Sequence, residues 1–305
     1  MIPNLDWRRF DGGQDPGGFV ADLSAALRGP GLFRLTHHGI SPQQIAAVFA
    51  GSREVFDLTE AEKRTLSMRP GPHNRGWARL GAEQLGCTDR LIERREAFNV
   101  GLDLPPTDRR VATGQPFRSE NLWPSIPGFR DTMLAFYDAA LSLGVALHRA
   151  IAADLGLATD YFDPLFRDPL ATLRLITYPP ATGRAGETGA GAHTDYGSLS
   201  LLLTDREPGL QARLRDGEWV DIAPVENSFV VLVGDCLECW TGGTYQATQH
   251  RVQPPRNRRQ SVSFYIDPSP EAVFAPLPGM GTPDPRPRTC AQYLAERLAS
   301  AHSAP

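Results

Sequence analysis

The sequence predicts a mainly β protein with flanking helices, its core a sandwich or a barrel. Three observations lead there. After Leu170 the chain breaks into short, β-rich runs separated by turn signals such as Arg215-Asp216-Gly217-Glu218, Gly242-Gly243 and Pro254-Pro255. Just upstream, apolar residues keep a helical period from Phe129 to about Leu155. The first stretch, from about Asp15 to Leu66, is mostly helical in pattern, with one strand interrupting it.

In chain order, Phe19–Leu27 carries apolar residues at helical spacing, and Gly31–Thr36 reads as a short strand. Ser41 supplies an N-cap and Pro42 a first helical position for a helix through about Asp57. From about Arg69 to Pro127 the chain is rich in Gly, Pro and Arg, which predicts loops with short strands, Glu96–Val100 among them. The long helix follows, with Met133, Phe136, Tyr137, Ala140, Leu141, Gly144, Val145 and Leu147 on its period. Strands are expected at Thr172–Tyr178, Ser198–Leu203, Gln211–Leu214, Phe229–Val233, Thr248–Val252 and Ser261–Ile266. Pro276–Arg288 reads as a surface excursion and Ala291–Ala301 as a final helix. Residues 1–127 form an N-terminal helical and mixed region. Residues 128–305 hold the long helix, the β core and the last helix, the two making one structural unit.

Composition narrows the function. The chain has 305 residues, 41% hydrophobic and 22% charged, ordinary values for a globular protein. No apolar run approaches the roughly 18 residues that span a bilayer, and the N-terminus has no signal-like apolar stretch. Four cysteines are too few for a disulfide scaffold, so a cytoplasmic protein is expected. A net charge of −4 gives no reason to expect nucleic acid, and neither a membrane nor an obligate protein partner is evident. Lys63 is the single lysine among 31 basic residues, a skew read as genome composition. Cys236 and Cys239 form a C-x-x-C in a stretch read as β, where positions i and i+3 face opposite ways, so a structural role is expected. No Walker loop, G-x-S-x-G or H-E-x-x-H occurs, which removes the common NTPase, serine-hydrolase and zincin readings.

One constellation carries chemistry. Of seven histidines, His37, His38, His73, His148 and His302 sit where ordinary satisfied or exposed histidines do. His193 and Asp195, two apart at the start of a strand, should point to one face. His250 is the further histidine of the β region. Two imidazoles and a carboxylate are the set that facial-triad iron sites use. Nine residues after His250 comes Arg259, then Ser261 on the same strand face. A guanidinium fork beside a hydroxyl suits a carboxylate.

The segments HTDYGSLSLLLTD, PGLQ, DGEWVDI, WTGGTYQATQHRV and RRQSVSFYIDP, in that order, resemble the isopenicillin N synthase-like branch of the Fe(II)/2-oxoglutarate-dependent oxygenases. GLFRLTHHGIS, REVFDLTEAEK, NRGWARLGAE and ERREAFNVG extend the resemblance through the N-terminal part. It implies a double-stranded β-helix, or jelly roll, with His193, Asp195 and His250 as iron ligands. Arg259 and Ser261 match the pair that holds the 2-oxoglutarate C5 carboxylate, and Tyr178 matches a tyrosine that hydrogen-bonds the co-substrate. Plant members often carry Asn two residues before that tyrosine, where this chain has Ile176.

The implied activity is oxidation of an unactivated C–H bond of a small molecule, by hydroxylation, desaturation or cyclisation, with Fe(II), 2-oxoglutarate and O2. An amino acid derivative or specialised metabolite is the expected substrate. Two alternatives stand beside it: an iron oxidase of the same fold that uses no 2-oxoglutarate, and a non-catalytic jelly-roll binding module or zinc hydrolase. For substrate contact, Ser263 and Tyr265 continue the alternation from Arg259, and Phe98 and Arg75 could close over the site, Arg75 pairing with a substrate carboxylate.

Overall fold

The computed structural model describes residues 2–69, 71–84, 92–282 and 284–302, and the side chain of His302 is outside the description. The chain opens with β1 (Asn4–Asp6), α1 (Pro16–Arg28), β2 (Leu32–Thr36), α2 (Pro42–Asp57) and α3 (Glu60–Thr65). The stretch read as loops contributes β3 (Gly76–Ala78), β4 (Glu96–Gly101) and the short α4 (Arg109–Ala112); residues 85–91 of it lie outside the described residues. Then come α5 (Phe129–Asp154), β5 (Thr172–Tyr178), β6 (Ala190–His193), β7 (Leu199–Thr204), β8 (Leu210–Arg213), β9 (Trp219–Asp221) and β10 (Phe229–Val233). The chain continues with α6 (Asp235–Trp240), β11 (His250–Val252), β12 (Arg259–Ile266) and α7 (Cys290–His302).

Local chemistry sets several boundaries. At α2 the Ser41 hydroxyl accepts from the Gln44 amide at 3.2 Å, and Gln44 Oε1 accepts from the Ser41 amide at 3.1 Å. With Pro42 in the first turn, this reciprocal cap starts the helix at the residue expected. α5 runs for 26 residues, and its most apolar 18-residue window has a mean hydropathy of 1.2, enough by length and composition to cross a membrane. It instead packs on α1, α2 and the sheet, with half of that window buried in the protein. An apolar stretch of spanning length is therefore present after all, as a core helix.

Two sheets form the β core. An eight-stranded sheet runs β1-β2-β10-β7-β12-β5-β4-β3, and a four-stranded sheet runs β9-β8-β11-β6. Strand alternation decides what each face of the larger sheet does. Phe33, Leu173, Leu175, Leu201, Val231, Val262 and Phe264 point outward into the core shared with α1, α2 and α5. Leu32, Ile176, Tyr178, Leu202, Val230 and Leu232 point inward and pack with Leu210, Ala212, Ala190 and Val252 of the smaller sheet. That is the expected jelly roll, with the functional side chains on its inner face.

One local expectation is corrected. Cys236 and Cys239 lie on α6, a helix, rather than in a β stretch. Cys236 approaches Cys290 at the start of α7, with their sulfurs 3.8 Å apart, and both residues are buried.

Candidate active site

Register brings the two histidines together. On the antiparallel strands β6 and β11, His193 stands directly opposite His250, and their ring centroids are 4.3 Å apart. His193 ends β6, and Asp195 lies in the following loop, so the pair does not share one strand as its spacing suggested. The loop is braced by α6. The Asp235 amide donates to the Asp195 carbonyl at 2.8 Å, the Cys236 amide to Gly197 at 3.0 Å, and the Gly234 amide to Ser198 at 3.0 Å. Residue 234 must be glycine for this approach, since a Cβ there would come within 2.3 Å of the Gly197 carbonyl oxygen.

The Asp195 carboxylate sits 3.8 Å from Nε2 of His193 and 3.8 Å from Nε2 of His250. The three ligand atoms all fall within 4.8 Å of one another, the only such group of His, Cys, Asp and Glu among the described residues. Each histidine uses Nδ1 on a backbone carbonyl, His193 on Gly191 at 2.8 Å and His250 on Thr248 at 3.0 Å. This fixes the tautomer and turns an unprotonated Nε2 inward. Burial, then the His250 ring and the Arg95 and Arg174 guanidinium groups, hold the His193 imidazole well below its ordinary pKa, hence in the neutral, ligating form. Two imidazoles and one carboxylate converging from one side fit a facially bound Fe(II).

Beside this cluster, β12 projects Arg259 and Ser261 inward. Arg259 is 1% exposed, its Nε and Nη1 have no hydrogen-bond partner among the described residues, and its guanidinium lies 4.9 Å over the Tyr178 ring. Ser261 Oγ is 3.5 Å from the Tyr178 hydroxyl. A cavity of about 40 Å3 joins these groups to His193, Asp195 and His250, with Ile176, Leu210 and Val252 as apolar walls. Buried donors without partners are costly. Here they lie at the far end of a passage that begins at the metal ligands. A dicarboxylate with a short methylene chain, such as 2-oxoglutarate, fits that arrangement.

A second cavity of about 70 Å3 lies on the other side of His193 and Asp195. Its polar wall is a relay: Arg174 donates to Glu83 and, at 3.0 Å, to Asn99; Asn99 donates to Asn74 at 2.7 Å. Thr172, Tyr196, Tyr265 and Asp267 add to the polar lining, and Leu294, Leu298 and Ala301 of α7 close the apolar side. Burial foremost, and then Asp195 nearby, push the Asp267 carboxyl up to about 7 against the pull of Arg75.

Of the residues expected near substrate, Tyr265 lines both cavities and Ser263 the smaller one. Phe98 and Arg75 line neither. Alternation on β4 turns Ala97 inward and Phe98 outward, where it packs edge-on against Phe129 at 5.8 Å. Arg75 is buried against Gly101 and donates to the carbonyls of Asn74 at 3.0 Å and Phe117 at 3.2 Å. Sequence reasoning did not single out Asn99, Arg174, Tyr196 or Asp267. Arg174 was accessible to it, because period two places it on the face of Ile176 and Tyr178.

Comparison with known proteins agrees with this geometry. The family model described as the 2OG-Fe(II) oxygenase superfamily matches residues 169–268. The one described as the N-terminal region of non-haem dioxygenase in morphine synthesis matches residues 2–126. A 2-oxoglutarate-dependent dioxygenase of Didymella fabae is 33% identical over 87% of this chain and 83% of its own length. A homoarginine-6-hydroxylase of Oryza sativa subsp. japonica is also 33% identical, over 85% of this chain and 80% of its own. Among solved structures, a full-length Neurospora crassa protein in complex with alpha-KG and thymine superposes with a TM-score of 0.86 at 26% identity, covering 98% of this chain and 96% of that one. With the triad, the jelly roll and both family models in agreement, the chain belongs to the 2OG-Fe(II) oxygenase superfamily and is an Fe(II)- and 2-oxoglutarate-dependent dioxygenase.

Proposed function

We propose that this enzyme oxidises a C–H bond of a diffusible small molecule held in the cavity beside His193 and Asp195. In this reading Arg259 and Ser261 hold the distal carboxylate of 2-oxoglutarate, and Tyr178 packs against the Arg259 guanidinium and steadies Ser261. Held by His193, Asp195 and His250, Fe(II) with 2-oxoglutarate and O2 would supply the oxidising chemistry, with succinate and CO2 as the products of 2-oxoglutarate. The protein's own part is to orient the two organic molecules and exclude side reactions. The observation that carries the reading is the buried, unpartnered Arg259 fork at the far end of the passage from the triad. Small size of the substrate is supported by the cavity of about 70 Å3 and by thymine being the molecule bound in the Neurospora structure.

The test is anaerobic titration of the Fe(II)-loaded protein with 2-oxoglutarate, followed by its visible charge-transfer band. The band should form with the wild type, vanish in His193→Ala, and need at least about 10-fold more 2-oxoglutarate in Arg259→Ala, where a charge-assisted carboxylate contact is lost. An Fe(II) protein that consumes O2 with substrate yet never forms the band would instead be an oxidase that draws all its electrons from substrate.

A further inference from the structure

The wall of the larger cavity contains a carboxyl group that neither the triad nor the co-substrate passage uses. Asp267 follows β12, is 7% exposed, and lines the cavity together with His193, Asp195 and Asn99. Its backbone carbonyl accepts from the Leu170 amide at 3.2 Å, but among the described residues its carboxylate accepts no hydrogen bond. Every other charged group among the described residues lining the cavity has a partner. Arg174 is engaged by Glu83 and Asn99, and Asp195 faces the two ligand histidines. Arg75, the guanidinium that acts on Asp267, is turned to the carbonyls of Asn74 and Phe117. The amides of Asn74 and Asn99 bond to each other and to Thr172 or Arg174.

Beside the hydroxyls of Tyr196 and Tyr265, the one charged capacity left among the described lining residues is therefore that of the Asp267 carboxyl, an acceptor when ionised. A substrate carboxylate would meet no unengaged cation among the described lining residues and would face Asp267 directly. A cationic nitrogen would give the Asp267 carboxyl, which burial foremost keeps partly protonated near neutral pH, the partner that holds it ionised. Resting on the oxygenase reading above, we propose that Asp267 anchors the substrate through a protonated nitrogen, so that the enzyme acts on small amines and excludes their carboxylate counterparts. The apolar side of the cavity, from Leu294, Leu298 and Ala301, then receives the hydrocarbon part of the amine.

The experiment uses matched probes of one shape: cyclohexylamine, cyclohexanol and cyclohexanecarboxylate, and benzylamine, benzyl alcohol and benzoate. Each is titrated anaerobically into the Fe(II)–2-oxoglutarate protein, and binding is read as perturbation of the charge-transfer band, with 2-oxoglutarate-coupled succinate formation as a second readout. The amines should bind at least about 10-fold more tightly than their alcohols, with the carboxylates weakest, and Asp267→Asn should erase that preference. Asp267→Glu should retain it in part. Both variants should bind Fe(II) and 2-oxoglutarate as the wild type does, which also reports that they are folded. The proposal is overturned if neither amine binds better than its alcohol, or if Asp267→Asn leaves the order intact. Loss of the band in the wild type would instead remove the oxygenase reading, so the two failures are distinct.

Discussion

His148 is buried and His193 nearly so, and both place Nδ1 on a backbone carbonyl, Gly144 at 2.7 Å and Gly191 at 2.8 Å. Their roles differ because of what their second nitrogen meets. His193 Nε2 faces a carboxylate and a second imidazole, whereas His148 Nε2 has no partner among the described residues and sits among Phe162 and Phe166. Burial lowers the His148 pKa from 6.5 to about 4. The folded state therefore binds fewer protons than the unfolded state between those values, and stability falls as pH drops from about 6.5 to about 4. The loss should approach roughly 3 kcal/mol, one pKa unit corresponding to about 1.4 kcal/mol. Denaturant titrations across that range should show the slope in the wild type and a reduced one in His148→Leu. At this scale the sequence was informative where residue type and spacing coincide, as with His193, His250, Arg259 and Ser261. It was silent on Asp267 and Asn99, whose place depends on which strand face looks inward and on a loop that follows no period.

At the scale of elements, α6 matters more than its six residues suggest. Its first amides hold the backbone of the loop carrying Asp195, and Gly234 is the point of contact. Gly234→Ala should push the loop from the helix and weaken metal binding by about 10-fold or more, in the range seen when support of a ligand is lost. Co(II) titration read by its visible absorption measures this; unchanged affinity would mean that the loop holds its shape alone. The helix itself was missed because a short run with two cysteines and a tryptophan lacks a capping side chain, Gly234 offering none. By contrast α2, with Ser41, Pro42 and Gln44, announces its own start. Strands β3 and β9 were missed for another reason: three residues carry no measurable alternation, and their pairing with β4 and β8 holds them.

For the whole molecule, the long helix and the sequence of strands were legible, while their lateral order was not. β2 pairs with β10 across nearly two hundred positions, Phe33 opposite Val231, and β1 joins the same sheet from the N-terminal region. Such pairings are chosen by tertiary packing on α1, α2 and α5 and leave no local trace. Because His193 and His250 belong to the four-stranded sheet and Arg259 and Ser261 to the larger one, a metal with a co-substrate bound as proposed would tie the two sheets together. Fe(II) with 2-oxoglutarate should therefore raise the melting temperature, with a stabilisation of about 2.7 kcal/mol when the ligand is at 100 times its Kd. Chelation with EDTA should reverse it, and Arg259→Ala should remove only the part that depends on 2-oxoglutarate. Differential scanning fluorimetry of each combination gives the comparison.

Helix α7 ties these scales together. It reaches the centre of the molecule only at its flank, through Leu294, Leu298 and Ala301, while its start is fixed beside α6 by Cys290 against Cys236 and by the Tyr293 hydroxyl on Asp235 at 2.5 Å. The apolar side of the larger cavity is thus written in a stretch of chain separate from the triad, while its polar side shares loops and strands with it. If that cavity holds the substrate as proposed, drift in residues 290–302 would reshape its apolar side while leaving the triad in place, and a laboratory exchange of that one helix would follow the same seam.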